Sequence, residues 1–536
     1  VTTLGLTTMR RGLWALAAFV IAVSFAPALG AAPAESVFRI WMVGDARTLD
    51  PAVASDFPSG SSALLMQLRL VSSDARGRIL PMGARSWTVT GGGLVYTFDL
   101  DPRARFHNGK PVTAADWKWT LDRMAQPETG SGAAEALLGG IAGFEAVRSG
   151  ATRSLAGVRV VTPTTLQIAL KPDGRGGFLN RMASYQLGVL NRDEVEAGGR
   201  DWADRGLAAA GPFTLARWER NVRFVFAANK DYFLGAPKVD VVEMVIVPSA
   251  VTRLNLYDAG QLDLTDVPLA DFRRISTDAR YGNQLKIFPR AQSLFLGLNG
   301  AVYEPFRDVR VRRALALAVD RERIARAVFA GFYAPAYGVT PPQVAGADKN
   351  LKVLPYNPDA ARRLLAESGW AGRMPPLEMF INPAAPDYQM AAEAVAAMWK
   401  EILGLDVRLQ RQEFAAYRAA LNRRNVFASF MQGWTATLLD FSIYLDQLLD
   451  SRSGLNFANY RNADVDRLID QANSARTESE REGFYRQAEQ IAMNDAALVP
   501  VVFTRWAVLV QPYVRGFEGS PLGLGWTDLN SVEVRR

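Results

Sequence analysis

The chain has 536 residues, 49% of them hydrophobic and 21% charged, which is an ordinary globular composition and excludes disordered and fibrous classes. Cysteine is absent and His107 is the one histidine, so thiol nucleophiles, disulfides and Cys/His zinc sites are excluded, as is any Ser-His-Asp triad not built on that residue. The net charge of +7 is carried mostly by arginine, with nine lysines among 61 basic residues, scattered as on solvated helix faces rather than stacked in a nucleic-acid-binding stripe.

At the N-terminus Arg10 and Arg11 precede an apolar run from Leu13 to Phe25, followed by Pro27 and small residues through Ala32. These are the three regions of a secretory signal peptide, and the run is shorter than the ~20 residues a membrane span needs. Residues 1–34 are therefore expected to be a cleaved signal, with Met9 as the natural start and cleavage between about Gly30 and Ala34. No cysteine follows the run, so no lipid anchor is expected and the mature chain is expected free in a periplasm.

Val37 to Val43 reads as a first strand, left through the turn Arg47-Thr48-Leu49-Asp50-Pro51. Trp87 to Thr90 and Leu94 to Leu100 alternate about Gly91-Gly92-Gly93, which predicts a hairpin. His107 sits in a short turn beside Asn108-Gly109, where a side chain commonly bonds local backbone; no Gly-x-Ser-x-Gly motif offers it a nucleophile. Thr113 and Asp116 form an N-cap pattern before Trp117, Leu121 and Met124, so a helix is predicted from Ala114.

Strands are predicted over 213–218, 222–227, 239–247 and 294–298, with a helix over 250–259 closed by Gly260. Asp308 caps a helix bearing Val311, Leu315, Ala318 and Val319 on one face, and Asn357-Pro358 opens another that stops at Gly369. Asn462 begins a helix, a second spans 478–493, and Leu498 to Phe503 returns as a strand. The class is α/β or α+β, with no repeat and no low-complexity linker, which favours lobes built from interleaved segments.

Taken in order, several of these units resemble one family. They are Thr48-Leu-Asp-Pro51, Trp87 to Phe98, Phe106-His-Asn-Gly-Lys-Pro-Val-Thr-Ala-Ala-Asp116, Gly211-Pro-Phe213, Asp231-Tyr-Phe233, Phe306 to Leu315, Tyr356 to Ala360, Gly433-Trp434 and Asn462 to Asp466. Singly weak, together they resemble the extracytoplasmic solute-binding proteins of ABC importers, the oligopeptide/dipeptide-binding family 5, over nearly all of the mature chain.

The resemblance implies an α/β, two-lobed periplasmic binding protein fold of type II with an inserted subdomain. Lobe I would combine 35–71, 186–298 and 506–536, the insertion would cover 72–185, and lobe II 299–505, with hinges near Asn299 and Arg505. It further implies a non-enzymatic, monomeric receptor without cofactor or metal, working with ABC permease subunits and not with nucleic acid. Its ligand would lie between lobes that close by hinge motion.

The family's wall segments fall on Ser55, Asp56 and Phe57 and on Gly433, Trp434 and Thr435, with Phe503 a third candidate. Peptide-binding members place an aspartate three residues after the Gly-Trp tryptophan to meet the ligand ammonium, and here Thr437 stands there. Asp440 or Asp56 is the expected replacement, each also readable as a helix cap, and Arg423 and Arg424 could meet a ligand carboxylate. An oligopeptide is the first expected ligand. An oligosaccharide or other polar metabolite is the alternative, supported by Thr437 and twelve tryptophans. A secreted hydrolase using two of the 54 carboxylates and a chaperone-like protein are the rivals from other classes.

Overall fold

The first strand, β1 (Val37–Met42), alternates half-buried and buried residues and turns Phe38, Ile40 and Met42 into a core. This computed structural model describes residues 35–74, 77–206 and 208–536, so the expected export signal lies outside the described residues. After helix α1 (Phe57–Met66), β2 (Ala84–Thr90) and β3 (Val95–Leu100) form the predicted antiparallel hairpin. Its turn carries Gly91, Gly92 and Gly93 at φ 59°, 64° and 91°, a run of left-handed backbone that glycine adopts without penalty.

Helix α2 (Ala114–Ala125) begins at the predicted residue, with Asp116 accepting the Thr113 N–H at 2.8 Å. Trp117, Leu121 and Met124 are buried in one core with Phe98, Leu166 and Ile168 of the sheet that continues β3 through β4 (Val158–Thr162) and β5 (Thr165–Ala169). His107 bridges two carbonyls, those of Gly206 and Gly211, at 3.2 and 3.1 Å. Burial lowers its proton affinity against the pull of these two carbonyls, and both partners lie about a hundred residues along the chain rather than in the local turn that was expected.

A four-stranded sheet orders β1, β8 (Val241–Ile246), β7 (Arg223–Ala228) and β6 (Phe213–Glu219), and only the β1 and β8 pair is parallel. A larger sheet follows the order β9 (Leu264–Asp266), then β15 (Leu498–Val510), β10 (Leu285–Leu298), β14 (Ser429–Thr435), β12 (Leu377–Ile381) and β13 (Val407–Arg411), with β11 (Ala334–Pro335) also on β15.

The long strands β10 and β15 pair twice. Leu285 to Pro289 meets Arg505 to Leu509, the register then shifts, and Ser293 to Gly297 meets Leu498 to Phe503. Both strands are longer than predicted because polar residues and a proline interrupt the apolar pattern: Lys286, Pro289 and Arg290 in one, Thr504 and Arg505 in the other. Gln292 to Leu298 pairs with β14, so these residues share a ladder with the segment assigned by resemblance to lobe II, not lobe I.

Helix starts follow the predicted caps. Asn357 accepts the Ala360 N–H at 3.0 Å, Asn462 the Asp464 N–H at 2.9 Å, and Asp308 the Arg310 N–H at 2.8 Å. Asp308→Ala is expected to lower stability by about 1 kcal/mol and leave ligand affinity unchanged; the denaturant midpoint checks the first and titration calorimetry the second.

Candidate functional site

Register brings the distant wall residues into one row. Trp434 on β14 lies opposite Ser293 on β10, Ser293 opposite Phe503 on β15, and Phe503 opposite Ala334 on β11. Directly opposed residues on neighbouring strands point to the same face, so Trp434 and Phe503 flank a small serine. Both aromatic residues are half-buried. The indole N–H donates to the Ile443 carbonyl at 2.6 Å and its ring stands edge-on to Phe457, which fixes its plane. Thr435, one residue on, is exposed.

Gly433 is required by close approach. A Cβ there would lie 1.9 Å from the Tyr388 hydroxyl, so any side chain would displace the tyrosine. Tyr388 follows Pro386 and Asp387 at the start of a helix, Pro386–Leu403. The Asp387 carboxylate accepts from the Tyr388 N–H at 3.1 Å and the Tyr333 hydroxyl at 3.4 Å, and no ion pair neutralises it among the described residues. Burial pushes its proton affinity up, with Arg290 acting on it from a distance. Arg290 lies in the register shift of β10, its Nε buried without a partner among the described residues. Burial also pushes the Tyr388 phenol up to about 12.

Arg290, Tyr333, Asp387 and Tyr388 therefore join the Gly433-Trp434 wall, although none was singled out from sequence. The one local signal, an acid after proline in a first helical turn, reads as ordinary capping chemistry.

Ser55, Asp56 and Phe57 form a separate cluster. Asp56 caps α1 through the Ser59 N–H at 2.9 Å and pairs with Arg47 at 2.9 Å, while Arg47 also donates to the Ser55 hydroxyl at 3.1 Å. Burial works against the Asp56 charge, but the hydrogen bonds from Ser59 and Arg47 outweigh it and hold the carboxyl below its usual range. Phe57 stacks on Trp41 with centroids 6.2 Å apart. Among the described residues no hydrogen bond, ion pair or ring contact joins this cluster to Gly433, Trp434 or Thr435.

Asp440 is buried and fully engaged inside the protein. It takes both terminal nitrogens of Arg481, the Asn180 amide at 2.8 Å, and the Ser442 N–H and hydroxyl at 2.9 and 2.7 Å. Burial alone would raise its proton affinity, yet the Arg481 guanidinium and Ser442 hold the carboxylate well below its usual range. The expectation that Asp440 replaces the charge missing at Thr437 is corrected on this ground: its oxygens have no capacity left for a ligand ammonium. Thr437 itself is exposed. Arg424 is structural as well, closing a helix at φ 58° and donating to the Ser453 carbonyl at 2.7 Å, whereas Arg423 is exposed.

Residues 78–456 match the model of bacterial extracellular solute-binding proteins, family 5 Middle. The chain belongs to this family. It is 31% identical to the probable deoxycholate-binding periplasmic protein YgiS of Escherichia coli K12, over 90% of this chain and 91% of that one. It is 28% identical to the periplasmic oligopeptide-binding protein OppA of the same organism, over 89% of this chain and 88% of that one. The solved unliganded open form of the periplasmic murein tripeptide binding protein MppA superimposes with a TM-score of 0.82 at 26% identity, over 94% of this chain and 98% of that one.

The fold is thus the two-lobed α/β fold of this family, and the chain is a binding protein and not an enzyme. The relatives are periplasmic, and among the described residues no helix is long and apolar enough to cross a membrane.

Proposed function

We propose that this protein is the periplasmic receptor of an ABC importer, taking a short peptide or peptide-like solute between its lobes and delivering it to the permease. The observation that carries the reading is the row of Trp434, Ser293 and Phe503, beside Asp387, which no ion pair neutralises among the described residues, and Arg290, whose Nε is buried without a partner among them. Flat apolar walls flanked by one acid and one base suit a ligand with charged ends and varied side chains. The names of relatives add support, since OppA and MppA carry peptides in theirs.

In this reading Asp387, not Asp440, receives the ligand ammonium, and Asp56 and Phe57 face it from the other lobe. The lobe boundary falls at the register shift between Pro289 and Ser293, and opposite it between Phe503 and Arg505. Strands that exchange ladder partners there can bend without losing either lobe's pairing. The remaining parts are a cleaved, unlipidated export signal over 1–34, an inserted subdomain over 72–185 and a monomeric mature protein.

Asp387→Asn is expected to weaken binding of trialanine at least tenfold, as loss of a charge-assisted hydrogen bond of about 1.5–3 kcal/mol implies. Binding of N-acetyl-trialanine, which has no ammonium, should change less. Calorimetric titration of both peptides checks it, and equal affinities in the variant and the parent for trialanine would remove Asp387 from the site.

A further inference from the structure

The 72–185 segment meets the 299–505 segment away from the register shift, through the turn Gly174-Arg175-Gly176-Gly177. This turn links a short 3-10 helix, Pro172–Gly174, to a helix, Phe178–Met182. Backbone meets side chain there at close range. A Cβ on Gly177 would lie 2.7 Å from an Asp440 carboxylate oxygen, and one on Gly176 would lie 2.7 Å from Asn473 Oδ1 and 3.3 Å from Arg481 Nε. Gly177 also has φ 62°, so glycine is required there by conformation as well as by space. Arg175 donates to the Ser474 carbonyl at 3.0 Å, and Asn180 to Asp440 at 2.8 Å. From behind, Arg181 donates to the Gly174 carbonyl at 2.5 Å and to the Gly176 carbonyl, which sets the shape of the turn.

Toward lobe I the same segment is joined differently. Phe178 and Met182 share one hydrophobic core with Leu68, Leu70, Leu187 and Val189, and the Arg123 guanidinium forks onto Asp50 at 3.1 and 2.5 Å. Close-packed cores move as one body. Toward lobe II the joint is made by the polar bonds of the turn, with Leu438 packed against the edge of that core.

The inference rests on the proposed lobes and their hinge. A 72–185 segment that rides with lobe I has to shift on its seat when lobe II rotates about the register shift. No hydrogen bond, ion pair or ring contact joins Ser55, Asp56 or Phe57 to Gly433, Trp434 or Thr435 among the described residues, yet the turn is fully seated. Unjoined walls and a seated turn occur together, so the bonds of the seat favour the open arrangement. Couplings between two states of a protein typically amount to about 5–150-fold, enough to bias the lobes and small enough for a ligand to override.

We propose that the 174–177 turn is a latch that holds the ligand-free protein open and lets go when lobe II rotates. It thereby sets the closed fraction of the free protein and, through that fraction, the apparent affinity of the cleft.

The chain has no cysteine, so introduced thiols carry labels without background. Spin labels at Val43→Cys and Phe414→Cys, positions 44% and 54% exposed on the two lobes and outside both walls, report the distance between lobes by pulsed dipolar spectroscopy of the ligand-free mature chain. The parent should show one dominant distance. Arg175→Ala with Asn180→Ala removes both bonds and should raise the population of a second distance at least fivefold, with each single variant in between. Gly176→Val wedges a side chain against Asn473 and should do the same; it decides the matter if the double variant does not fold. Adding a tryptic casein digest to the parent should favour that same second distance. Distributions shared by the parent and the variants, or a second distance unlike the one peptides induce, would overturn the latch. A parent that ignores the digest would contradict the peptide reading instead, since the variants are compared with the parent without ligand.

Discussion

Asp440→Ala is expected to cost about 3–5 kcal/mol of stability, the penalty typical of removing one member of a buried ion pair. Asp440 and Arg481 have side chains only 3% and 4% exposed, and two parallel bonds join them. Without the aspartate, Arg481 keeps one ion pair, to Glu478 at 2.7 Å, and a cation-π contact with the Tyr485 ring. The guanidinium would then be charged, buried and mostly unpaired.

Asn180 also loses its acceptor, and with it a link between the 72–185 segment and the 299–505 segment. Replacing both charges together, Asp440→Leu with Arg481→Met, should recover most of the loss, because the cost lies in the orphaned charge rather than in the missing attraction. Urea midpoints of the two single variants and the double variant check this. A single variant as stable as the parent would contradict it.

Stability is expected to fall as pH rises from about 4 to 7, and Glu489→Gln should make that fall shallower, leaving the share that Asp446 carries. Glu489 is buried, accepts the Val339 and Thr340 N–H groups at 2.9 and 2.8 Å, and has no cation paired with it among the described residues. Burial pushes its carboxyl up to about 7. Asp446, half-buried, is pushed up to about 6 by desolvation despite bonds from Asn473 and Tyr485.

An acid with a raised folded-state value holds its proton more tightly folded than unfolded. The stabilisation is complete below the unfolded value near 4 and is lost as pH passes the folded value. For Glu489 the full span is on the order of 3 kcal/mol. The amide of Glu489→Gln keeps the carbonyl acceptor for both N–H groups and has no charge to bury. The variant should match the parent near pH 4 and exceed it at pH 8 in denaturant midpoint. Parallel profiles from pH 4 to 8 would contradict the burial argument.

What the sequence disclosed was local. The Thr113 and Asp116 cap, the glycine hairpin, the Asn357-Pro358 start and the Asn462 helix rest on residues within a few positions of one another, and all occur where expected. Long strands were legible only in part, since Pro289 and Arg505 break the apolar pattern just where β10 and β15 shift register.

The site divides in the same way. Gly433-Trp434 is a recognisable unit, but the tyrosine that requires the glycine lies 45 positions earlier in another element, and no local pattern points to it. Asp440 was legible as a cap and indeed caps a short turn, yet its partner Arg481 is set by packing between helices. Charge balance in a buried site depends on such pairings, which is why an acid three residues from Thr437 suggested a ligand contact that the fold had already filled.

The central claim, that the protein is a solute receptor, is tested most directly by native mass spectrometry of the mature chain purified from its own periplasm, with thermal shifts measured against peptide pools. The account predicts a co-purified set of short peptides or peptide-like solutes released on mild activation, and a higher melting temperature with peptides by mass action. A chain that carries no small molecule and melts at one temperature against every peptide, or that cleaves the peptides, would contradict it.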